Sequence, residues 1–183
     1  MDCDVAVLGG GPGGYSAAIR AAQLGAKTVC IEKEPELGGT CLRVGCIPTK
    51  AWVQTAQFLH AARDSFGKLG VRVSEPELDF GAANEWKAAV VKQMTGGVAS
   101  LFKSNGVEWV KGTGAFKDAN TIAVEGGEDV SFRSAIVATG PRSHSPLDES
   151  RPRADRSLSD AMNQSLPRLT KVSHKLSTAS VAS

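Results

Sequence analysis

Two cysteines, Cys41 and Cys46, lie five positions apart in a glycine-containing run. On a regular helix this offset places the two side chains about 140° apart around the axis. The thiols can form a disulfide only if the backbone bends between them, and Gly45 is a residue at which it could bend. A disulfide that closes so short a loop adds little stability, because it removes little entropy from the unfolded chain. The spacing therefore favours a labile disulfide with a redox role.

A metal site and a reduced, buried pair are the alternative interpretations of these thiols. Metal sites usually combine C-x2–4-C with a second pair of ligands elsewhere in the chain. The remaining cysteines and the histidines are isolated from one another, namely Cys3, Cys30, His60, His144 and His174. We therefore predict no metal site, and the reduced buried pair stays open.

A glycine-rich turn near the start of the chain predicts a dinucleotide-binding element. Residues 4–8 predict a buried strand, and the glycines that follow fit G-x-G-x-x-G at Gly9, Gly11 and Gly14. A run rich in small residues, 15–24, predicts a helix, and residues 28–31 predict a second strand that ends at Glu32. Glu32 lies 18 positions after the last glycine of the motif, near the spacing of about 20 expected for a ribose-binding acid.

Each residue of this motif has a physical role in binding a dinucleotide. The first glycine allows a tight turn, the second lets the backbone approach a pyrophosphate, and the third lets helix and strand pack closely. The helix N-terminus offers free N–H groups and a partial positive charge to the phosphates. The acid at the end of the second strand would accept hydrogen bonds from a ribose. A purely structural glycine turn is the alternative.

Together these motifs resemble those of the pyridine nucleotide-disulfide oxidoreductases, flavoproteins that include dihydrolipoamide dehydrogenase, glutathione reductase and mercuric reductase. The resemblance covers residues 4–140. Residues 13–25, together with Cys41-Leu42 and Cys46-Ile47-Pro48, are most similar to the dihydrolipoamide dehydrogenases. Arg43 departs from the family, which usually has asparagine there, and it adds a positive charge between the two thiols.

The resemblance implies an α/β fold, a Rossmann-like FAD-binding domain with a parallel sheet and a small β-meander, incomplete relative to the family. Helices are predicted over 47–66 and 82–103, and a short extended segment over 69–73. Short strands are predicted over 107–110, 114–116, 121–124, 130–132 and 135–138, and the resemblance implies that together they form the meander. We expect the FAD-binding segment to end at residue 140 and residues 141–183 to form a Ser- and Arg-rich tail that is disordered or frameshifted.

The resemblance also implies the cofactor, FAD, held tightly but without a covalent bond. The expected binding residues are Gly9, Gly11, Pro12, Gly13, Gly14, Glu32, Lys33, Gly38, Gly39, Thr40, Cys41, Lys50, Gly114, Ala138, Thr139 and Gly140.

Catalytic roles are implied for three residues. Cys46 would be the thiol beside the flavin ring, and Cys41 the exchange thiol that attacks a disulfide substrate. Lys50 would lie near the flavin N5, where a cation stabilises reduced flavin, and its charge would also lower the pKa of a nearby thiol. A solvated helix charge is the alternative for Lys50.

The reaction implied is the oxidation of dihydrolipoamide by NAD+, and the partners implied are the lipoyl domains of 2-oxo acid dehydrogenase complexes. The family enzymes form homodimers. A glutathione or mercuric reductase type, and a non-catalytic nucleotide-binding remnant, are the alternatives. From the resemblance we expect these 183 residues to lack the family's NAD(P) domain, second FAD segment and dimerisation domain. We therefore expect this chain not to turn over by itself.

Length and composition bound the remaining possibilities. The 183 residues, 42% of them hydrophobic, suit one domain with a tail. Seven of the 21 Lys and Arg, but only four of the 19 Asp and Glu, lie in residues 141–183. That tail contains no aromatic residue, so its basicity does not predict nucleic-acid binding. No apolar run predicts a membrane span, and the acidic start predicts a cytoplasmic protein, with an organelle matrix as the alternative.

Overall fold

A six-stranded mixed sheet organises residues 1–140, the part of the chain that the computed structural model describes. The strands are β1 (Asp2–Leu8), β2 (Thr28–Glu32), β3 (Glu108–Lys111), β4 (Gly114–Asp118), β5 (Thr121–Val124) and β6 (Val130–Val137). Their order in the sheet is β3-β2-β1-β6-β5-β4. Strands β3, β2, β1 and β6 run parallel to one another. The pairs β4–β5 and β5–β6 are antiparallel. The predicted α/β class is therefore confirmed.

Four α-helices accompany the sheet. They are α1 (Pro12–Gln23), α2 (Gly39–Arg43), α3 (Cys46–Asp64) and α4 (Phe80–Asn105), and a 3-10 turn (Phe66–Leu69) follows α3. Proline at the first position of α1 suits a helix start, because the N–H it lacks would have no partner within the helix. Among the helices of residues 1–140, none has both the length and the apolarity needed to cross a membrane.

The core lies on both faces of the parallel strands. Every residue of β2 is buried, and its alternate side chains point to opposite faces. Val29 and Ile31 pack with Ile122 of β5 on the face that the meander covers. Cys30 packs with Phe102 of α4 on the face that the helices cover. A strand buried on both faces needs an uninterrupted apolar run, which explains the composition of β2.

Three details of the sequence prediction are wrong. The strand predicted over 107–110 is not part of the meander, because β3 is the parallel edge strand beside β2. The segments predicted over 130–132 and 135–138 form one strand, β6, which pairs with β5 at its start and with β1 along its length. No strand forms over 69–73, where the 3-10 turn is followed by irregular chain. The predicted disorder or frameshift of the tail, 141–183, lies outside the described residues.

Candidate functional site

Close backbone packing requires glycine at two positions, Gly9 in the turn between β1 and α1 and Gly14 in the first turn of α1. Gly9 has a φ of +106°, and a Cβ on it would overlap the carbonyl of Ala138. A Cβ on Gly14 would overlap the carbonyl oxygen of Gly9. Helix α1 can therefore approach the turn this closely only without a side chain at Gly14.

Gly11 is different, because its free side faces open space. A Cβ there would meet only the Cα of Gly39, at an ordinary contact distance of 3.8 Å. Gly11 caps α1, and the first turn of that helix contains no acidic residue. Pro12 and Gly13, the first two helical residues, are exposed. The N–H groups at the start of α1 thus face an accessible position that suits an anion.

The carboxylate of Glu32 fastens this turn to the end of β2. Glu32 is 8% exposed, and its Oε2 accepts the N–H of Gly10 at 2.6 Å. Its Oε1 accepts the N–H of Glu34 at 3.0 Å. Each oxygen has a second lone pair, so these bonds leave acceptor capacity for a ribose hydroxyl. Lys33, also predicted to bind the cofactor, is exposed beside it.

A second glycine turn packs against the first. The N–H of Gly38 donates to the carbonyl of Gly10 at 2.8 Å. A Cβ on Gly39 would lie only 2.7 Å from the Cα of Gly11, so the two backbones approach closely. Helix α2 starts at this contact, and Thr40 is exposed in its first turn. The turn expected to hold a pyrophosphate and the helix that carries Cys41 are therefore directly joined.

The two thiols lie on two consecutive helices, Cys41 on the short α2 and Cys46 on the long α3. Cys41 is half-buried within α2, and Cys46 is exposed as the first residue of α3. The bend falls at Val44 and Gly45, as Gly45 predicted, and it brings the two thiols close enough to affect each other's protonation. Both cysteines are free thiols in this structure, so the disulfide stays a prediction.

The charges around the dithiol differ from expectation in two respects. The pKa of Cys41 is raised, chiefly because its thiol donates a hydrogen bond to Cys46, and the opposing effect of Lys50 is smaller. The net direction is therefore opposite to the lowering that the nearby lysine predicted. The guanidinium of Arg43 lies 3.1 Å from the carboxylate of Glu34, so its charge is paired there.

The other two cysteines are buried and chemically distinct. Burial raises the pKa of Cys30 to about 12, with a smaller contribution from the negative charge of Glu32. Burial also raises the pKa of Cys3. Both thiols stay protonated near neutral pH and are poor nucleophiles. Within residues 1–140, no group of three or more His, Cys, Asp or Glu side chains is arranged to hold a metal ion.

The residues that follow β6 lie beside the glycine turn, whereas Gly114 packs against the side chain of Leu8. The N–H of Ala138 donates to the carbonyl of Leu8 at 2.8 Å, which places Ala138 beside the glycine turn. Thr139 and Gly140 follow it and are exposed. A Cβ on Gly114 would lie 2.6 Å from the end of the Leu8 side chain, which would have to shift to admit it. Its contact with the adenine end of FAD stays a prediction.

Sequence reasoning missed two residues that hold this site together, Gly10 and Glu34. Gly10 is buried, donates to Glu32, and has no room for a Cβ, which would lie 2.6 Å from the side chain of Leu37. Glu34 contacts both Glu32, through its N–H, and Arg43, through its carboxylate. Gly10 occupies the first x of the G-x-G-x-x-G motif, so the motif does not predict a glycine there. An ion pair between residues nine positions apart, across a turn, has no sequence signal.

Comparison with known proteins gives these motifs a family. A model of the family described as pyridine nucleotide-disulphide oxidoreductase matches residues 3–176. The chain belongs to this family. The resemblance noted in the sequence is thereby confirmed.

Relatives in this family include dihydrolipoyl dehydrogenases. Mitochondrial dihydrolipoyl dehydrogenase 1 of Arabidopsis thaliana is 50% identical over 141 residues, which are 75% of this chain and 28% of that protein. The dihydrolipoyl dehydrogenase of Geobacillus stearothermophilus is 48% identical over 145 residues, 78% of this chain and 30% of that protein. The chain thus spans less than a third of the length of these relatives.

A solved structure supports the same fold. The HOCl-induced flavoprotein disulfide reductase RclA from Escherichia coli superposes with a TM-score of 0.65 at 23% identity. The match covers 79% of this chain and 29% of that one. At this identity the likeness concerns the fold alone.

Proposed function

We propose that residues 1–140 are the FAD-binding part of a flavin-dependent disulfide oxidoreductase of the dihydrolipoyl dehydrogenase type. The observation that carries this proposal is the direct contact between the glycine turn and the dithiol helix, through Gly38 and Gly10. A redox dithiol must lie beside the cofactor it serves, and this contact places Cys41 three residues from that junction. Relatives named dihydrolipoyl dehydrogenase at about half identity support the same type.

The residues of the site fit FAD. The open face of Gly11 and the N-terminus of α1 suit its pyrophosphate, and Glu32 suits the adenosine ribose. Gly39 and Thr40 begin α2 at the same junction, and the positive charge of Lys50 acts on the Cys41 thiol. When bound, FAD supplies an acceptor for two electrons.

The two thiols have different environments, which supports different roles. Cys46 is exposed as the first residue of α3, whereas Cys41 is half-buried within α2. Cys41 keeps its proton, because its thiol donates to Cys46 and its pKa is raised. Following the family resemblance, we propose that Cys41 exchanges with substrate and that Cys46 lies beside the flavin.

The proposed thiol–disulfide exchange takes place in two successive displacements. A thiolate of dihydrolipoamide attacks the Cys41 sulfur of the Cys41–Cys46 disulfide, and Cys46 leaves as thiolate. The second sulfur of the substrate then attacks the mixed disulfide, and Cys41 leaves and is protonated. The substrate is oxidised to lipoamide, and the protein disulfide is reduced by two electrons. Reoxidation by NAD+, docking to lipoyl domains and homodimer formation are proposals for the whole protein.

Flavin titration tests the assignment of the glycine turn. We expect the full chain to quench FAD fluorescence on binding, and Gly11→Val to weaken that affinity at least about tenfold, because its side chain fills the pyrophosphate approach. Gly96→Val is the matched control, since nothing lies within 4 Å of a Cβ there. Equal affinities in wild type and Gly11→Val would refute the assignment.

Thiol mapping tests the redox pair. After oxidation in air we expect one disulfide, between Cys41 and Cys46, that dithiothreitol reduces, while Cys3 and Cys30 stay unmodified in the folded chain. Free labelling of both Cys41 and Cys46 in an oxidised, folded sample would contradict the redox role. The rates at which dihydrolipoamide, glutathione and dithiothreitol reduce this disulfide then show which thiol is the better substrate. Faster reduction by glutathione than by dihydrolipoamide would favour the glutathione reductase type.

A further inference from the structure

An ion pair ties the end of α2 to the loop that follows β2. Arg43, the last residue of α2, places its Nη1 3.1 Å from Oε2 of Glu34. The Arg43 side chain is 21% exposed and that of Glu34 is 41% exposed, so the pair is partly shielded from water. A planar guanidinium on a short helix holds such a carboxylate in a defined direction.

This ion pair closes a ring of contacts around the nucleotide turn. Glu34 donates its N–H to Glu32, and Glu32 accepts the N–H of Gly10 through its other oxygen. The carbonyl of Gly10 accepts the N–H of Gly38, from which α2 begins, and α2 leads back to Arg43. Both ends of α2 are therefore attached to the same turn, and Cys41 lies between the two attachments.

We propose that Arg43 is a positioning residue, which acts through Glu34 to hold α2, and with it Cys41, in place against the nucleotide turn. The inference rests on the proposed function in one respect, that Cys41 is the exchange thiol. A competing explanation is that the guanidinium acts directly on the thiols as a positive charge. The two explanations predict opposite changes in alkylation rate when Arg43 is removed.

The test is the rate at which iodoacetamide alkylates Cys41 in the reduced full chain at fixed pH, with the modified cysteine identified by mass. If the ion pair positions α2, Arg43→Ala and Glu34→Ala both loosen the contact between Cys41 and Cys46. Each variant then alkylates faster by about two- to five-fold, the range expected for a partly exposed ion pair. The double variant gives the same rate as either single variant, and the charge-swapped pair, Arg43→Glu with Glu34→Arg, restores the wild-type rate.

A direct charge effect gives changes of opposite sign for the two residues. Arg43→Ala would then slow alkylation, because it removes a positive charge, whereas Glu34→Ala or Glu34→Gln would accelerate it by freeing the guanidinium. Opposite signs, additive effects or unchanged rates would each overturn the positioning role.

The thiol measurement needs no flavin, so the two proposals fail separately. If the chain does not bind FAD but the single and double variants alkylate at the same raised rate, the proposed function is refuted and the positioning role stands. Normal FAD binding with unchanged alkylation rates refutes the positioning role alone.

Discussion

The nucleotide half, β1–α1–β2, and the helical pair, α3 and α4, are built on different principles. Every residue of β2 is buried, and α1 packs on the turn through glycine backbone. The helical pair buries few residues for its length and leaves large aromatic side chains exposed, among them Trp52, Phe58, Phe80 and Trp86. A groove of about 360 Å³ lies between the two helices.

This difference indicates where the sequence is constrained. In the nucleotide half, backbone approaches backbone, so a single methyl group has no room at several positions. In the helical pair, side chains meet along a groove, and open space surrounds the mid-helix glycines of α4. We therefore expect equivalent substitutions to have unequal costs in the two regions.

The sharpest test places the same substitution in both regions. Gly14→Ala should lower the free energy of unfolding by about 4 kcal/mol or more, because its Cβ overlaps the Gly9 carbonyl and α1 must move. Gly96→Ala, with open space around it, should raise that free energy by about 0.5–1 kcal/mol, since alanine favours the helix. Urea unfolding of both variants measures the difference. Similar free energies of unfolding for the Gly14→Ala and Gly96→Ala variants would show that the two regions do not differ in this way.

A second pair of substitutions compares apolar side chains. Ile31→Ala should cost about 2–4 kcal/mol, because Ile31 is 1% exposed and its removal leaves a cavity between sheet and meander. Leu101→Ala in α4 should cost less than about 1 kcal/mol, because that side chain is 49% exposed. Midpoints of denaturant unfolding give both values. A larger loss for Leu101→Ala would indicate that the surface of α4 is covered in solution.

Alkaline unfolding tests the burial of Cys30. Its pKa is about 12 in the folded chain against an ordinary value of 9.0, so above pH 9 the unfolded chain loses a proton that the folded chain keeps. Stability is therefore complete below pH 9 and falls as pH rises towards 12. Between pH 9 and pH 10 the wild type should lose about 1 kcal/mol more than Cys30→Ala. Val29→Ala, which removes a buried side chain that does not titrate, should keep the wild-type pH dependence, and an equal slope in Cys30→Ala would contradict the assignment.

The smallest expected effect concerns the start of α4. Oδ1 of Asp79 accepts the N–H of Ala82 at 3.0 Å and caps the helix. Asp79→Ala should lower the free energy of unfolding by about 1 kcal/mol, whereas Asp79→Asn keeps an acceptor and most of the stability. Thermal unfolding followed by circular dichroism measures both variants. Equal losses in the two would indicate that the charge, rather than the hydrogen bond, stabilises this helix end.

The sequence by itself determined the nucleotide half and the candidate residues of the site. The order of strand, glycine turn, helix, strand and acid is local, and each member constrains its neighbours in the chain. Gly9 and Gly14 follow from that motif, and Gly45 between the thiols predicted the bend that separates α2 from α3. Local patterns carry this information because adjacent residues share backbone geometry.

Only the tertiary structure decided the contacts between distant segments. It placed β3 beside β2, and it made β6 one strand with partners of opposite direction. It also turned the charge of Arg43 towards Glu34 and joined Gly38 to Gly10. The physical reason is that alternation within a strand specifies which face is buried but not which strand lies beside it. Likewise, a charged side chain takes its partner from whatever the fold brings within reach.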